Sequence, residues 1–322
     1  MTRPLIEARV LARRREADDI VSLRLAPSAG EAGLPGFDAG SHIDVHLPNG
    51  LVRKYSLCND PAEEGVYEIA VKLEPASRGG SRWLHETVGA GDRLRIGAPQ
   101  NLFPLSAGPG RSVLLAAGIG VTPILAMART LVRTGRAFAL HYFARSPGAA
   151  AYQSVLTAEP YGRAATLHFG LDAGATEAVL DAVVPDGAGD DHLYFCGPPA
   201  FMAAAQRIAT ARLLPGHVHW EHFSPPEPTD GAKDAAFEIE LARSGTVLLV
   251  PADKSITDVL YDNAIPIDTS CEAGICGSCR TAVLAGLPLH RDEVLAPDER
   301  ARNDVILPCV SRCSSRRLVL DL

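Results

Sequence analysis

The sequence predicts a multidomain chain: an antiparallel β-barrel, then an α/β domain built on a parallel sheet, then a smaller α+β domain. Three observations carry this reading. The length of 322 residues exceeds what one hydrophobic core holds, because domains peak near ~100–150 residues. The hydrophobic pattern changes after residue 106, from short alternating stretches to apolar runs separated by helix-length segments. A proline-rich polar stretch, Ser224-Pro225-Pro226-Glu227-Pro228-Thr229-Asp230-Gly231, then sets off a terminal segment with its own cysteine cluster. The boundaries read as 1–106, 107–224, a linker at 225–235, and 236–322.

In the first segment, Arg9 to Leu25, Ser41 to Leu47, Arg53 to Leu57 and Val66 to Leu73 alternate apolar and polar residues between Gly, Pro and Asn-Gly turn signals. That is the signature of half-buried antiparallel strands closing on one core. In the second, Val113 to Ala116, Phe138 to Phe143 and Leu193 to Phe195 are apolar on both faces, as strands covered by helices on both sides must be. Pro123 to Thr134 supplies one such helix, with Thr122 as its expected N-cap and Pro123 at its first position. In the third, Phe237 to Leu241 and Thr246 to Val250 form a hairpin through Ser244-Gly245, followed by a short helix from Ser255 to Asn263.

Composition excludes several classes. The net charge of −7 and pI near 5.8 argue against a phosphate-backbone binder, which needs clustered Lys and Arg. The longest apolar run, Val113 to Ala128, is interrupted by Gly118, Gly120 and Pro123, and the first residues lack the apolar core of a signal peptide. A soluble cytoplasmic protein is expected, without nucleic acid or membrane, and as a monomer, since no coiled-coil heptad demands assembly. Residues 236–322 carry 9 Lys+Arg against 13 Asp+Glu, so the terminal domain is the acidic one.

Seven cysteines in a chain with no export signal point to metal or redox use rather than disulfides. Cys271, Cys276 and Cys279 are spaced C-x4-C-x2-C, with Cys309 following at long range, and this is the plant-type [2Fe–2S] ligand pattern. Gly274 and Gly277 let the loop wrap closely, with backbone N–H groups turned toward sulfur. A zinc site would ordinarily pair two C-x2-C hooks, which are missing, and buried free thiols would not share such spacing. Spacing alone does not choose between Cys309 and Cys313 for the fourth ligand. Cys309 is preferred because it follows apolar Val305-Ile306-Leu307 and Pro308, whereas Cys313 sits among Arg312, Ser314 and Ser315.

Gly118-Ile119-Gly120-Val121-Thr122-Pro123 follows an apolar strand and opens a helix, a place where a pyrophosphate or ribose binds. It lacks the full G-x-G-x-x-G, so alone it reads equally well as a tight turn. A second turn, Cys196-Gly197-Pro198-Pro199, repeats the arrangement, and two turns on one edge of a parallel sheet define a cleft. On a barrel strand, Arg53-Lys54-Tyr55-Ser56 combines a cation for a phosphate, an aromatic ring and a hydroxyl, the groups a flavin needs, although an ordinary half-exposed strand has the same look. Arg78-Gly79-Gly80-Ser81 is either an anion-binding nest or a flexible loop.

Taken together, these motifs run in an order that resembles the family of phthalate dioxygenase reductase and the vanillate O-demethylase reductases along essentially the whole chain. The resemblance rests on Arg53 to Asp60, Gly118 to Pro123, Cys196-Gly197-Pro198, and Cys271 to Cys279 with Cys309. It implies a flavin barrel, an NAD domain and a C-terminal β-grasp ferredoxin-like domain. It further implies that Arg53, Arg78, Gly79, Gly80 and Ser81 hold the FMN phosphate, that Tyr55 and Ser56 meet the isoalloxazine, and that the Val71 and Lys72 backbone meets its pyrimidine edge. Phe223 would flank the flavin. Thr122 would lie near flavin and nicotinamide, Gly118 and Gly120 in the nucleotide turn, and Cys196 near the hydride-donating carbon, with Gly197 and Pro198 shaping the pocket. Ser56, Thr122 and Cys196 would be the catalytic set. Arg145 and Ser146 would lie near the adenosine ribose, where a serine in place of an acidic residue leaves NADH against NADPH open.

The activity implied is hydride transfer from NADH to FMN, then single electrons through [2Fe–2S] to the Rieske-type centre of a terminal oxygenase. Two other readings stand beside it: a free-standing flavin diaphorase or ferric reductase, and a non-catalytic redox sensor or electron carrier, which the two nucleotide-type turns disfavour. His141, His168, His192, His217, His219 and His222 are scattered without metal-ligand spacing and are read as packing or surface residues.

Overall fold

The computed structural model describes residues 5–31, 33–75, 77, 79–187, 189–223, 235–269, 272, 274 and 277–322. The chain divides into two compact units, Met1–Phe223 and Ser224–Leu322. The proline-rich stretch at 224–231, and with it Arg78, Cys271 and Cys276, lies outside the described residues. Among the described residues no helix is long and apolar enough to cross a membrane.

The first unit opens with a barrel of β1 (Ile6–Ala17), β2 (Ile20–Pro27), β3 (Ser41–His46), β4 (Val52–Ser56), β5 (Tyr67–Lys72), β6 (Arg93–Ile96) and β7 (Gln100–Asn101). The strands run in the order β4-β3-β6-β1-β2-β5, with β7 on β3, and a bridge from Leu57 to Ile69 closes the sheet on itself. Alternation places Val10, Leu23, Leu25, Ile43, Val45, Ile69 and Leu94 inside. Helix α1 (Gly80–Glu86) contributes Leu84 to the same core.

Beyond the barrel, β8 (Ser112–Ala117), α2 (Val121–Arg133), β9 (Phe138–Ala144), α3 (Gln153–Thr157), β10 (Ala165–Phe169), α4 (Ala173–Val183), β11 (His192–Cys196), α5 (Pro199–Arg212) and β12 (Val218–Glu221) alternate. All neighbouring strands are parallel, in the order β10-β9-β8-β11-β12. The chain therefore moves outward one way from β8 and the other way from β11, which makes the crevice between those two strands the topological switch point. Residues of α2 and α3 share their core with barrel residues Ala17, Ile20, Cys58, Ala70 and Phe103, so barrel and sheet pack as one body. Cys58 Sγ and Tyr152 Oη, both buried, meet across that boundary at 3.1 Å.

Two expectations change here. Helix α2 begins at Val121 after a 3-10 turn at Gly118–Gly120, so Gly120 is the N-cap and Thr122 is the second helical residue rather than the cap. Pro123 is tolerated third because the first amides of a helix have no intrahelical acceptor to lose. The histidines are packing residues, yet they are not scattered. His141 and His168 stack on adjacent strands with ring nitrogens 3.2 Å apart. His192 stacks on His217 and bonds His219 at 3.0 Å. Burial and then the neighbouring imidazoles push His141 and His219 down to about 4. The unfolded chain takes up these protons near pH 6.5 while the folded chain excludes them, so stability is complete above that pH and is lost as pH falls toward 4. Thermal unfolding of the holoprotein is expected to drop by several degrees from pH 7 to pH 5, and less so in His219→Gln. A midpoint that holds steady to pH 5 in the parent would contradict this linkage.

The second unit is a mixed sheet of β13 (Phe237–Leu241), β14 (Thr246–Val250), β15 (Thr281–Ala285), β17 (Val305–Ile306) and β19 (Arg317–Leu320), ordered β14-β13-β19-β15-β17, with a small ladder of β16 (Pro288–Leu289) and β18 (Arg312–Cys313). Its hairpin has the expected bounds and antiparallel register, Phe237 opposite Val250 and Leu241 opposite Thr246. Helix α6 (Ile256–Asp262) starts at a capping box in which Ser255 and Asp258 satisfy each other's amides. It buries Ile256, Val259 and Leu260 against Ile239 and Leu318, the β-grasp arrangement of sheet around helix. Helix α7 (Pro297–Arg302) follows, and its first turn carries Asp298 and Glu299 where the helix dipole favours them.

Candidate functional site

The phosphate end of the site is built from a strand and a glycine pair. Arg53, on β4, packs its side chain against Gly80, where an added Cβ would stand 3.1 Å from its Cγ and 3.2 Å from its Nε. Gly79 has φ 106, a left-handed conformation that glycine adopts without steric cost. Ser77 Oγ accepts the Gly79 amide at 3.1 Å and the Ser81 hydroxyl at 3.1 Å, which fixes the turn. The result is a guanidinium beside a backbone surface free of side chains, a cradle suited to a phosphate. Val71 and Lys72 end β5; the Val71 carbonyl oxygen lies 2.8 Å from His85 Nε2, and Lys72 pairs with Glu74.

At the other end of β4, burial raises the Tyr55 phenol well above its usual range, so the ring is a neutral apolar wall. Ser56 Oγ donates to Glu221 Oε2 at 3.3 Å. Glu221 ends β12 directly beside Cys196, which ends β11 in the parallel register. Burial lifts the Glu221 carboxyl to about 7, against the opposing pull of the Ser56 hydrogen bond and the Lys54 charge. Cys196 is buried, and burial followed by the Glu221 charge raises its thiol far above the normal range. It is a neutral wall of the cleft and not a thiolate nucleophile. Lys54 Nζ lies 2.6 Å from His42 Nε2 and 3.6 Å from Asp44 Oδ1, and His42 Nδ1 lies 3.9 Å from Glu221 Oε1.

The two glycine turns touch. A Cβ on Gly120 would lie 2.2 Å from the Cys196 carbonyl oxygen, and one on Gly197 would lie 2.8 Å from Ala117 Cβ. Pro198 caps α5. Thr122 is buried with its hydroxyl donated to the Ile119 carbonyl at 3.0 Å. Arg145 and Ser146 are exposed just past β9, beside Gly170, whose amide donates to the Ala144 carbonyl. Phe223 is exposed two residues beyond β12. Thus Ser56 and Cys196, predicted from separate motifs, converge on Glu221. Sequence reasoning missed His42, Lys54 and Glu221 as site residues. Glu221 directly precedes His222-Phe223, but its proximity to Cys196 depends on β12 lying next to β11, which no local pattern reveals.

In the second unit, Cys279 and Cys309 bring their sulfurs to 3.3 Å, both buried among Leu295, Val305 and Leu307. Cys313 instead packs toward the α6 core, its sulfur 2.9 Å from the Ser315 carbonyl oxygen. Gly274 has φ 71 and Gly277 φ 73, and a Cβ on Gly274 would strike Val310 at 2.5 Å, so the Gly274 backbone sits directly against the residue that follows Cys309.

Residues 239–314 match the family of 2Fe-2S iron-sulfur cluster binding domains. Over 322 residues the chain is 46% identical to the vanillate O-demethylase oxidoreductase of Pseudomonas putida, covering 99% of this chain and 100% of that one. It is 42% identical over 290 residues to the heme-dependent oxidative N-demethylase beta subunit of Ectopseudomonas mendocina (strain ymp), 90% of each chain. Among solved structures, phthalate dioxygenase reductase, described as a modular structure for electron transfer from pyridine nucleotides to [2Fe–2S], matches with a TM-score of 0.78 and 37% identity over 99% of this chain and 98% of that one. With coverage nearly complete on both sides, the chain belongs to the family of vanillate O-demethylase oxidoreductase and phthalate dioxygenase reductase, oxidoreductases with flavin and [2Fe–2S] domains.

Proposed function

We propose that the chain is the NADH-dependent reductase component of a Rieske-type oxygenase or O-demethylase, working as a cytoplasmic monomer. The observation that carries this reading is the meeting of the barrel strand Arg53–Ser56 and both glycine turns at one cluster, Ser56, Glu221 and Cys196. Residues 1–106 would hold FMN, 107–224 the nucleotide and 236–322 the cluster. Bound FMN supplies the conversion of a two-electron hydride into single electrons.

The chain's own residues bind and orient. Arg53 with Gly79 and Gly80 fits a phosphate, and Arg78 and Ser81 would join them. Tyr55 and Ser56 would meet the flavin ring, Val71 and Lys72 its pyrimidine edge, and Phe223 its exposed face. Thr122, Gly118, Gly120, Cys196, Gly197 and Pro198 would hold the nicotinamide end, and Arg145 and Ser146 the adenosine end. Cys271, Cys276, Cys279 and Cys309 would ligate the irons, an assignment supported by the adjacent sulfurs of the last two.

Hydride arrival adds negative charge beside Glu221, so a neutral carboxyl favours it and a carboxylate opposes it. Flavin reduction by NADH is expected to slow as pH rises through about 7. Glu221→Gln, neutral at every pH, should keep the faster rate to pH 8 in stopped-flow measurements; a profile with the same inflection in the variant would exclude this carboxyl as its source.

The whole reading is tested by anaerobic titration of the purified holoprotein with NADH and, separately, NADPH. Flavin and iron–sulfur absorption that both bleach with NADH support it, and a coloured protein that NADH leaves unbleached overturns it. An O-demethylase acceptor is in keeping with the O-demethylase relative, a Rieske centre in it being the expectation of the family resemblance, and the heme-dependent N-demethylase relative favours a haem acceptor as the second reading. Saturable reduction of one purified oxygenase class and not the other separates them. With 9 Lys+Arg against 13 Asp+Glu in residues 236–322, transfer to a basic partner should slow with added salt.

A further inference from the structure

This inference rests on the reading that Cys279 and Cys309 belong to an iron–sulfur centre. It starts from two buried polar atoms of the second unit, His290 Nδ1 and Asp292 Oδ1, that make no hydrogen bond. They face each other at 3.9 Å, on side chains 9% and 0% exposed. Buried polar atoms are normally satisfied, so the gap between these two has a cause.

The cause is the position of one hydrogen. Asn303, the C-cap of α7, donates its side-chain amide to the Ala301 carbonyl at 3.4 Å and turns Oδ1 toward His290 Nε2 at 3.3 Å. An amide oxygen only accepts, so Nε2 carries the hydrogen of the neutral ring and Nδ1 is left with a lone pair. That lone pair meets an Asp292 oxygen, a second acceptor, and the two stay apart. One added proton turns Nδ1 into a donor and joins them. His290 and Asp292 are therefore a pair one proton short, whichever of the two atoms keeps it.

The pair lies against the cysteine pocket. Asp292 Oδ2 accepts the amides of Val294 at 3.1 Å and Leu295 at 2.8 Å, and Leu295 is part of the wall around Cys279 and Cys309. The Glu293 amide donates to the Gly274 carbonyl at 3.0 Å, and a Cβ on Gly274 would stand 3.2 Å from Asp292 Cα.

We propose that His290 and Asp292 take up a proton from water when an electron enters the cysteine pocket, and release it when the electron leaves. Arg300, from α7, lies 3.8 Å from Asp292 Oδ2 and balances its charge, so these two together exert little net pull on a proton. Arg291 and Glu293 flank Asp292 along the chain. Arg312, on the strand paired with Leu289, directs its guanidinium away to the carbonyls of Ala235, Pro251 and Lys254. An electron in the pocket adds one negative charge across buried protein, where Coulomb attraction is several-fold stronger than in water. The step balances with one electron from the reduced flavin and one proton from solvent. An N–H bond forms at His290 Nδ1, and it breaks again when the acceptor takes the electron. The electron is then held more tightly in acid than in base.

The test is an equilibrium redox titration of the holoprotein with dithionite and mediators, read from the EPR signal of the reduced iron–sulfur centre across the pH range in which histidines titrate. The parent's midpoint should fall as pH rises, by up to about 59 mV per pH unit, the one-electron equivalent of a tenfold change in proton concentration. In His290→Gln the midpoint should be level with pH. Asn303→Gly keeps the left-handed backbone at φ 57 and removes the acceptor from Nε2, so the neutral ring can carry its hydrogen on Nδ1 instead. Its midpoint should be level too, and it decides the matter if His290→Gln fails to take up iron. A level midpoint in the parent, or a slope that survives in the variants, would overturn the proposal and leave His290 a packing residue. No NADH enters this measurement, so failure of NADH to bleach the parent counts against the functional reading alone, while an iron-loaded parent without the signal overturns the assignment of the centre and this proposal with it.

Discussion

Cys309→Ser is expected to remove the visible iron–sulfur absorption and reduce bound iron to a small fraction, while Cys313→Ser leaves both in place. The two cysteines are four residues apart, and the fold separates them. Cys309 turns inward with Cys279, sulfur to sulfur at 3.3 Å, in a pocket walled by Leu295, Val305 and Leu307. Two thiolates at such a distance repel each other in a low-dielectric site, and a shared cation offsets that repulsion, which is why a metal suits the pair. Serine at this position offers a hard, poorly ionised oxygen to a soft site. Cys313 turns the other way, against Ser315 and the α6 core, so its loss costs some packing and no ligand. Iron content and visible spectra of the two variants, purified side by side, check the prediction; a colourless Cys313→Ser beside a coloured Cys309→Ser would reassign the fourth ligand.

Gly120→Ala is expected to abolish NADH oxidation, whereas Gly118→Ala weakens it modestly. The backbone at Gly120 is helical, so conformation is not the obstacle. Space is: the new methyl would lie 2.2 Å from the Cys196 carbonyl oxygen, 2.4 Å from its carbon and 2.8 Å from the Gly197 nitrogen. These are backbone atoms of the neighbouring turn and cannot rotate away, so the two turns must part, at a cost of roughly 3 kcal/mol, the upper end for forcing atoms into filled space. Parting them displaces Cys196 and Glu221 together. Gly118 has φ +54 with nothing within 4 Å of an added Cβ, so alanine there pays only for the left-handed backbone, about 1 kcal/mol. NADH oxidation and thermal unfolding of both variants give the comparison, and an active, stable Gly120→Ala would show that the close approach of the turns is not needed.

How much of this was legible in the sequence depends on the range of the interaction involved. The hairpin at Phe237 to Val250 was readable because alternation and a Ser-Gly turn are local. So were the strand-to-helix turns at Gly118 and Cys196, and the cysteine spacing. The exact start of α2 was not, because a 3-10 turn absorbed the glycines and moved the cap two residues back from Thr122. The strands at Ala165–Phe169 and Val218–Glu221 were missed, as each is short and carries histidine where an apolar residue would have signalled burial. Losing the second strand hid Glu221, and with it the contacts that bring His42 and Lys54 to the site. Strand order, a property of the assembled fold, is the information a single sequence withholds.

The contact of Cys58 with Tyr152 has a thermodynamic meaning. Because the barrel and the parallel sheet share one core, neither half of the first unit can melt while the other persists, and they are expected to unfold in a single cooperative transition. A ligand that binds only the folded barrel then stabilises the whole body by RT ln(1 + [L]/Kd). Saturation with flavin therefore protects the nucleotide crevice as well, and a preparation that has shed its flavin has also become more fragile at the site where the hydride donor must bind.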